Sequence, residues 1–322
     1  MSATADPQPT LRLRIARAWP AAEGIRSFEL VDEAGAQLPP FVPGSHLRIQ
    51  VPNGAWRKYS LCNPAAESDR YVITVKRDAN GQGGSVSLVD DAREGQVLAA
   101  LAPENAFELV ASSAGYVFVA GGIGITPIVA MIRSLADTPE VPWKLYYLTR
   151  SPQSTAFRDE LRQAWPASQV VIHHDHGNPD DGYDLWPVFE KPSARHIYCC
   201  GPRPLMEAVR DMTGHWSRGK VHFESFDGAG TPHLDDKPFT VRLARSGRRF
   251  EIPVGQTILA TLNASGCKVP YSCESGTCGT CRTTLLEGDA DHRDMVLMDD
   301  EKEQNIMVCV SRAKSAELVL DL

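Results

Sequence analysis

The sequence predicts a multidomain chain of three modules in series: an antiparallel β-barrel, an α/β domain built on a parallel sheet, and a small C-terminal unit stapled by a metal centre. Three observations carry this expectation. Short β-rich runs fill the chain to about residue 110, strands then alternate with helices as far as Phe226, and four of the eight cysteines fall between Cys273 and Cys309. Length alone, 322 residues, suggests only about two domains at roughly 150 residues each. The extra module is credible because a cluster stabilises a unit too small to rely on its core. The expected boundaries are 1–110 for the barrel, 111–226 for the α/β domain, 227–236 for a linker and 237–322 for the last unit.

In the first module LRLRIARAW, GIRSFELV, HLRIQV and RYVITVKR read as strands, punctuated by Pro39, Pro40, Pro43, Gly44, Pro52, Asn53 and Gly54. In the second, Tyr116–Ala120, Lys144–Thr149, Val170–His173 and His196–Cys200 are expected strands. Helices are expected over Pro127–Leu135, Thr155–Ala164 and Pro204–Met212. That alternation is the mark of a parallel sheet covered by helices. The segment DGAGTPHLDD, Asp227 to Asp236, lacks apolar periodicity and reads as an exposed linker. Beyond it, Phe239–Leu243 and Arg249–Ile252 suggest a hairpin about Ser246 and Gly247, and Thr257–Ala264 a helix.

Composition narrows the function. With 43% hydrophobic and 23% charged residues, the chain is of ordinary globular type, neither disordered nor collagen-like. A net charge of −7 argues against sequence-independent nucleic-acid binding, which needs clustered cations. The longest apolar stretches, Tyr116–Ala120 and Ile306–Val310, are far below the roughly 20 residues that cross a bilayer. MSATADPQPT has no signal-peptide pattern, so a cytoplasmic protein with no membrane association is the expectation.

Cys62, Cys199, Cys200 and Cys267 have no ligand-like spacing and are expected to pack. Cys273, Cys278 and Cys281 are spaced C-x4-C-x2-C, and Cys309 supplies a distant fourth thiolate, the plant-type [2Fe-2S] spacing. Two bridged irons need four thiolates converging on a tight loop, and Gly276 and Gly279 stand where it must curl. A four-cysteine zinc site is the alternative, though it normally pairs two short knuckles and only one is present.

The segment YSCESGTCGTC, with HRDMVLMDDEK and IMVCVSRAKSAELVLDL, resembles the C-terminal ferredoxin domain of the phthalate dioxygenase reductase family, the reductase components of Rieske non-haem iron oxygenases. The resemblance spans nearly the whole chain. It implies a flavin barrel, a nicotinamide domain and a β-grasp ferredoxin domain, in that order. It further implies an NADH-dependent oxidoreductase that passes electrons through a flavin and a [2Fe-2S] cluster to a terminal Rieske oxygenase.

Within the barrel, Arg57, Tyr59 and Ser60 resemble the family's R-x-Y-S/T motif, in which the arginine faces a flavin phosphate while the tyrosine and serine line the ring. A guanidinium offers forked recognition of phosphate, and tyrosine a flat apolar face; alone, the motif also fits any exposed strand. The turn Asn80–Ser87 either binds phosphate or is a plain connector, and the resemblance favours flavin contacts at Gly83, Gly84 and Ser85. Thr74 and Lys76, on the preceding strand, join the expected flavin set. These motifs serve FMN and FAD equally; the resemblance implies FMN.

After Ala120 comes Gly121-Gly122-Ile123-Gly124-Ile125-Thr126-Pro127, a glycine-rich strand-to-helix turn suited to a pyrophosphate, with Thr126 as a possible cap and Pro127 at the start of the helix. It departs from the Rossmann fingerprint and resembles the family's nicotinamide motif instead. Its expected partner is Cys200-Gly201-Pro202, with Cys200 orienting the ring by the same analogy, and Phe226 near the flavin. Asp175, amid His173, His174 and His176, favours NADH over NADPH; the histidines themselves are surface or core residues, or a metal tract. No side chain need act as an acid or base.

Glu287, Asp289, Asp291, Asp294, Asp299, Asp300, Glu301 and Glu303 outnumber Arg293 and Lys302, which suggests an acidic face that is either merely solvated or steers a redox partner. Other functions compatible with these modules are a reductase for another oxygenase, such as an O-demethylase, a general NADH diaphorase, or a nicotinamide-linked redox sensor.

Overall fold

The computed structural model describes residues 9–217, 219–226 and 235–322, so most of the expected linker, 227–234, lies outside the described residues. The chain divides into two compact units, the division falling between His222 and Phe223.

The first unit opens with strands β1 (Leu11–Ala22), β2 (Ile25–Asp32), β3 (Ser45–Gln50), β4 (Trp56–Ser60) and β5 (Tyr71–Lys76). Helix α1 (Gly84–Asp91) and strands β6 (Val97–Ala100) and β7 (Glu104–Asn105) follow. The sheet runs β4-β3-β6-β1-β2-β5, with β7 on β3. An antiparallel bridge from Leu61, just past β4, to Ile73 on β5 joins its two ends, which closes the expected barrel. Leu13, Ile15, Phe28, Leu30, Leu47, Ile49, Tyr71 and Ile73 fill the interior.

Burial has an electrostatic consequence at His46 on β3, which is 7% exposed. Loss of hydration, helped by Lys58 and Arg48, pushes its pKa from 6.5 down to about 4. Glu104, 3.8 Å away, would favour the charged ring, but burial outweighs it. The unfolded chain therefore takes up this proton first as the pH falls. The contribution of His46 to stability is full above pH 6.5 and is lost progressively toward pH 4, by up to roughly 3 kcal/mol. In chemical denaturation at pH 7 and pH 4.5, His46→Gln should lose less stability on acidification than the parent; an equal loss would contradict this.

The same unit continues with β8 (Tyr116–Gly121), α2 (Ile125–Leu135), β9 (Trp143–Thr149), α3 (Arg158–Ala164), β10 (Val170–His174), α4 (Trp186–Phe189), β11 (His196–Cys200) and α5 (Arg203–Met212), and the division falls within β12 (Val221–Glu224). The order is β10-β9-β8-β11-β12, and β8, β9, β10 and β11 are parallel. Every residue of β8 is buried, as in a sheet covered on both faces. Nine residues of α2 are buried against it, joined in one core by Ile25, Cys62, Val72 and Phe107 of the barrel. The helix expected from Thr155 starts only at Arg158, because Ser151 closes a capping box on Pro152–Ser154 and Thr155 returns to an extended conformation.

The second unit has β13 (Phe239–Leu243), β14 (Arg249–Ile252), α6 (Ile258–Ala264), β15 (Arg282–Glu287), β16 (Ala290–Asp291), α7 (Asp299–Lys302), β17 (Asn305–Met307), β18 (Arg312–Ala313) and β19 (Glu317–Leu320). Its main sheet is ordered β14-β13-β19-β15-β17, with β13 and β19 parallel, and β16 pairs β18. The Thr257 hydroxyl accepts from Ala260 N at 3.0 Å, capping α6, whose Ile258, Leu259 and Leu262 pack into the core. The end of the expected linker departs from an exposed segment: the Asp236 side chain is 3% exposed and lies 2.5 Å from Arg293 Nη2. Arg312, 3.6 Å away, also donates to the Gln256, Lys237 and Pro253 carbonyls. A carboxylate enclosed by two guanidiniums cannot serve as a solvated spacer.

Candidate functional site

The barrel presents its candidate residues where β4 meets the turn into α1. Gly83 takes up φ 76°, a left-handed conformation that glycine adopts without strain, and no side chain caps the helix behind it. The first-turn N–H groups of α1 therefore remain available to an anion. Arg57 lies over this turn: its Nη2 is 3.2 Å from Gln82 Oε1, and a Cβ on Gly84 would come within 2.6 Å of its Nε. Ser85 accepts from Asp78 N at 3.1 Å, bracing the turn. Ser60 Oγ is buried without a hydrogen-bond partner among the described residues, an orphan that suits a polar ligand atom. Tyr59 is half-buried, and loss of hydration pushes its phenol up to about 12, so it stays neutral. Thr74 is 4% exposed and shares the face of β5 that carries Val72, opposite the Tyr71, Ile73 and Val75 of the barrel interior, with its hydroxyl 2.8 Å from Ser27 Oγ; Lys76 is exposed at the end of β5. Arg57→Ala should weaken flavin retention by ~10–100-fold, the worth of a charged hydrogen bond, measured by ultrafiltration of the purified protein. Unchanged retention would remove Arg57 from the set.

The nicotinamide candidates meet at the C-terminal ends of β8 and β11. This is the point where the strand order reverses, from β8-β9-β10 on one side to β11-β12 on the other, and open α/β sheets bind ligands at such points. Two glycine turns nest backbone against backbone. A Cβ on Gly124 would sit 2.2 Å from the Cys200 carbonyl oxygen, one on Gly201 2.8 Å from Gly121 Cα, and one on Gly121 2.6 Å from Pro202 Cδ. Gly122, at φ 52°, faces open space. The expected Thr126 cap is not formed. Gly124 is the N-cap residue, and the buried Thr126 hydroxyl donates instead to Ile123 O at 3.1 Å. Pro127 falls in the first turn of α2, where its missing N–H costs nothing. Cys200 is fully buried in the shared core, and Phe226 is 47% exposed.

In the second unit the thiols are linked pairwise. Hydrogen bonds from Cys278 and Cys309 pull the Cys273 thiol well below the usual thiol range, and the two donors are pushed up. Cys281 is likewise lowered, as acceptor of a hydrogen bond from Cys309. Ser275 N and Thr277 N donate to Cys273 Sγ at 3.4 and 3.5 Å, as N–H groups do toward thiolate sulfur. Gly276, at φ 73°, lets the loop curl; a Cβ there would lie 2.7 Å from Val310 Cγ2. Met295 N donates to its carbonyl at 2.9 Å. The C-x4-C-x2-C spacing with its distant fourth thiol suits two irons sharing four thiolates better than the paired short knuckles of a zinc site.

Among the described residues no group of three His, Cys, Asp or Glu is set up to hold a single metal ion. His174 Nδ1 is 2.8 Å from Thr149 Oγ1 and His173 Nε2 2.6 Å from Asp181 O. Asp175 accepts from Gly177 N at 2.8 Å, closing a turn beyond β10. The acidic face is thinner than expected. Asp294 is 2% exposed and accepts from Val296 N and Leu297 N, Asp291 pairs with Arg293, and Glu301 with Arg282. Asp289, Asp300 and Glu303 remain exposed, as do Glu287 beside Arg242 and Asp299 beside Lys302. No helix among the described residues is long and apolar enough to cross a membrane.

Comparison with known proteins gives the two halves of the relay directly. Residues 241–314 match the 2Fe-2S iron-sulfur cluster binding domain, and residues 118–211 the oxidoreductase NAD-binding domain. Over 302 residues the chain is 57% identical to the phthalate 4,5-dioxygenase oxygenase reductase subunit of Pseudomonas putida, covering 94% of this chain and 93% of that one. It is 56% identical over 313 residues to phthalate dioxygenase reductase of Burkholderia cepacia, covering 97% of each. Vanillate O-demethylase oxidoreductase of Acinetobacter baylyi is 38% identical over 303 residues, with 92% of this chain and 94% of that one covered. A solved phthalate dioxygenase reductase, described as a modular structure for electron transfer from pyridine nucleotides to [2Fe-2S], superposes with a TM-score of 0.73 at 57% identity over 97% of this chain and 98% of that one.

Proposed function

Since the chain belongs to the phthalate dioxygenase reductase family of oxygenase reductase components, we propose that it draws electrons from NADH through FMN and its [2Fe-2S] cluster to a phthalate-type Rieske dioxygenase. The observation that carries this is the coexistence, in one chain, of a barrel turn suited to a flavin phosphate, paired glycine turns at a switch point, and a three-thiol loop with a fourth thiol at Cys309. The bound flavin accepts electrons in pairs and releases them singly, which is the chemistry the relay requires.

The residues supply binding and geometry. Arg57 and the N-terminus of α1, behind Gly83 and Gly84, hold the flavin phosphate; Tyr59 offers its face to the ring and Ser60 its unpaired hydroxyl. Gly121, Gly122 and Gly124 let the dinucleotide approach the start of α2, and Gly201 and Pro202 wall the other side. Cys273, Cys278, Cys281 and Cys309 hold the cluster. With a turn to close, Asp175 adds negative charge beyond β10 that disfavours a 2′-phosphate, so NADH is the preferred donor. The boundaries proposed for the modules remain 1–110, 111–226 and 237–322.

The partner docks transiently, and the exposed carboxylates Asp289, Asp300 and Glu303 steer it. Purified phthalate dioxygenase oxygenase should be reduced by this chain and NADH faster than a vanillate demethylase oxygenase. The rate should fall as salt rises from 20 to about 200 mM, where screening shortens to within 10 Å. Equal rates for both oxygenases would overturn the choice of partner, and a salt-insensitive rate the steering.

A further inference from the structure

We propose, building on that relay, that Arg133 is a positioning residue for hydride transfer, tying the strand end that carries the flavin motif to the helix that leaves the nicotinamide turn. Arg133 lies near the C-terminal end of α2, which begins directly after Gly124. Its guanidinium reaches three residues of two segments at once. Nη1 donates to the Cys62 main-chain oxygen, two residues beyond Ser60. Nε donates to Glu160 Oε1 at 2.9 Å, and Nη2 to both Glu160 carboxylate oxygens at 2.7 Å, fixing α3. The plane lies over the Phe157 ring at 5.4 Å. Phe157 itself sits at φ 58°, a left-handed conformation that large side chains avoid and that the surrounding contacts must enforce.

The strand end it grips is otherwise well anchored. Cys62 N donates to Val72 O at 2.8 Å, and the fully buried thiol lies in the core shared with Ile125, Ile128 and Val129 of α2. Arg133 is therefore the polar complement of an apolar joint between barrel and α/β domain. Its side chain is 20% exposed, so the contacts are partly shielded from water. A planar fork can satisfy a carboxylate and a carbonyl in set directions; a lysine is a point charge that cannot. Hydride transfer depends steeply on the separation of donor and acceptor, and a shift of about 1 Å at this joint is enough to slow it roughly 10²-fold.

The test uses the full-length protein loaded with flavin and cluster, mixed anaerobically with NADH in a stopped-flow instrument. For Arg133→Gln the limiting rate of flavin bleaching should fall about tenfold or more, with flavin content, cluster absorption and NADH affinity unchanged. Arg133→Lys, which keeps charge but not the fork, should recover only part of the rate, and Glu160→Gln should slow it as well. Unchanged limiting rates in flavin-replete variants would overturn the proposal. Loss of flavin or of soluble protein in all three variants would do so too, because the role would then be structural alone. No flavin bleaching in the unaltered protein would instead remove the relay on which the proposal is built.

Discussion

Cys309→Ser leaves NADH able to bleach the flavin band but removes the iron–sulfur absorption and EPR signal, and electron delivery to the oxygenase falls to background. Cys309 is 1% exposed and is the thiol through which the Cys281 side of the loop joins Cys273. A serine hydroxyl has no accessible anion at neutral pH, whereas a thiol beside metal ions ionises readily. The small unit should also lose stability, since Ile306, Met307 and Val308 pack beside Cys309 in the same core. Absorbance and EPR of the purified variant, with an NADH titration, check this. Cluster signal retained at the parent's intensity would take Cys309 out of the ligand set.

The second large effect is expected at Gly124→Ala. The added Cβ would lie 2.2 Å from the Cys200 carbonyl oxygen and 2.8 Å from Gly201 N, and both are backbone atoms at strand ends that cannot rotate away. The ends of β8 and β11 must therefore separate at the switch point. Overpacking of this kind costs about 1–3 kcal/mol of stability. NADH-driven reduction of the flavin should fall by at least about 10²-fold, because the turn that receives the dinucleotide is displaced. Reduction of the same flavin by dithionite should be unaffected. Thermal unfolding and stopped-flow reduction by the two reductants separate the effects; NADH reduction at the parent's rate would show that the turn does not receive the nucleotide.

Much of this was legible in the sequence because the chemistry is local. The cysteine spacing is set by what one loop can bring together, and the glycine-rich turns follow strands whose apolar runs are unmistakable. What was not legible depends on tertiary partners. The start of α3 is decided by the Ser151 capping box and by Phe157, held in an unfavourable conformation beside Arg133. Thr126 looks like a cap by position, but Ile123 O lies within reach of its hydroxyl once the glycine turn tightens. Asp236 reads as linker because Asp is usually solvated, and only the fold shows two arginines enclosing it. The acidic run shrinks for the same reason: sequence counts charges but not their partners. Arg133 carried no motif at all, and its role emerges only from the main-chain oxygen it meets in the barrel.

The central claim, that one chain passes electrons from NADH through a flavin to an iron–sulfur cluster, is tested most directly by anaerobic mixing of the purified protein with NADH, followed across the visible spectrum. The predicted result is bleaching of the flavin band followed by bleaching of the cluster bands and the appearance of the EPR signal of a reduced [2Fe-2S] centre. Flavin bleaching with a cluster that stays oxidised, or no bleaching at all, would contradict it.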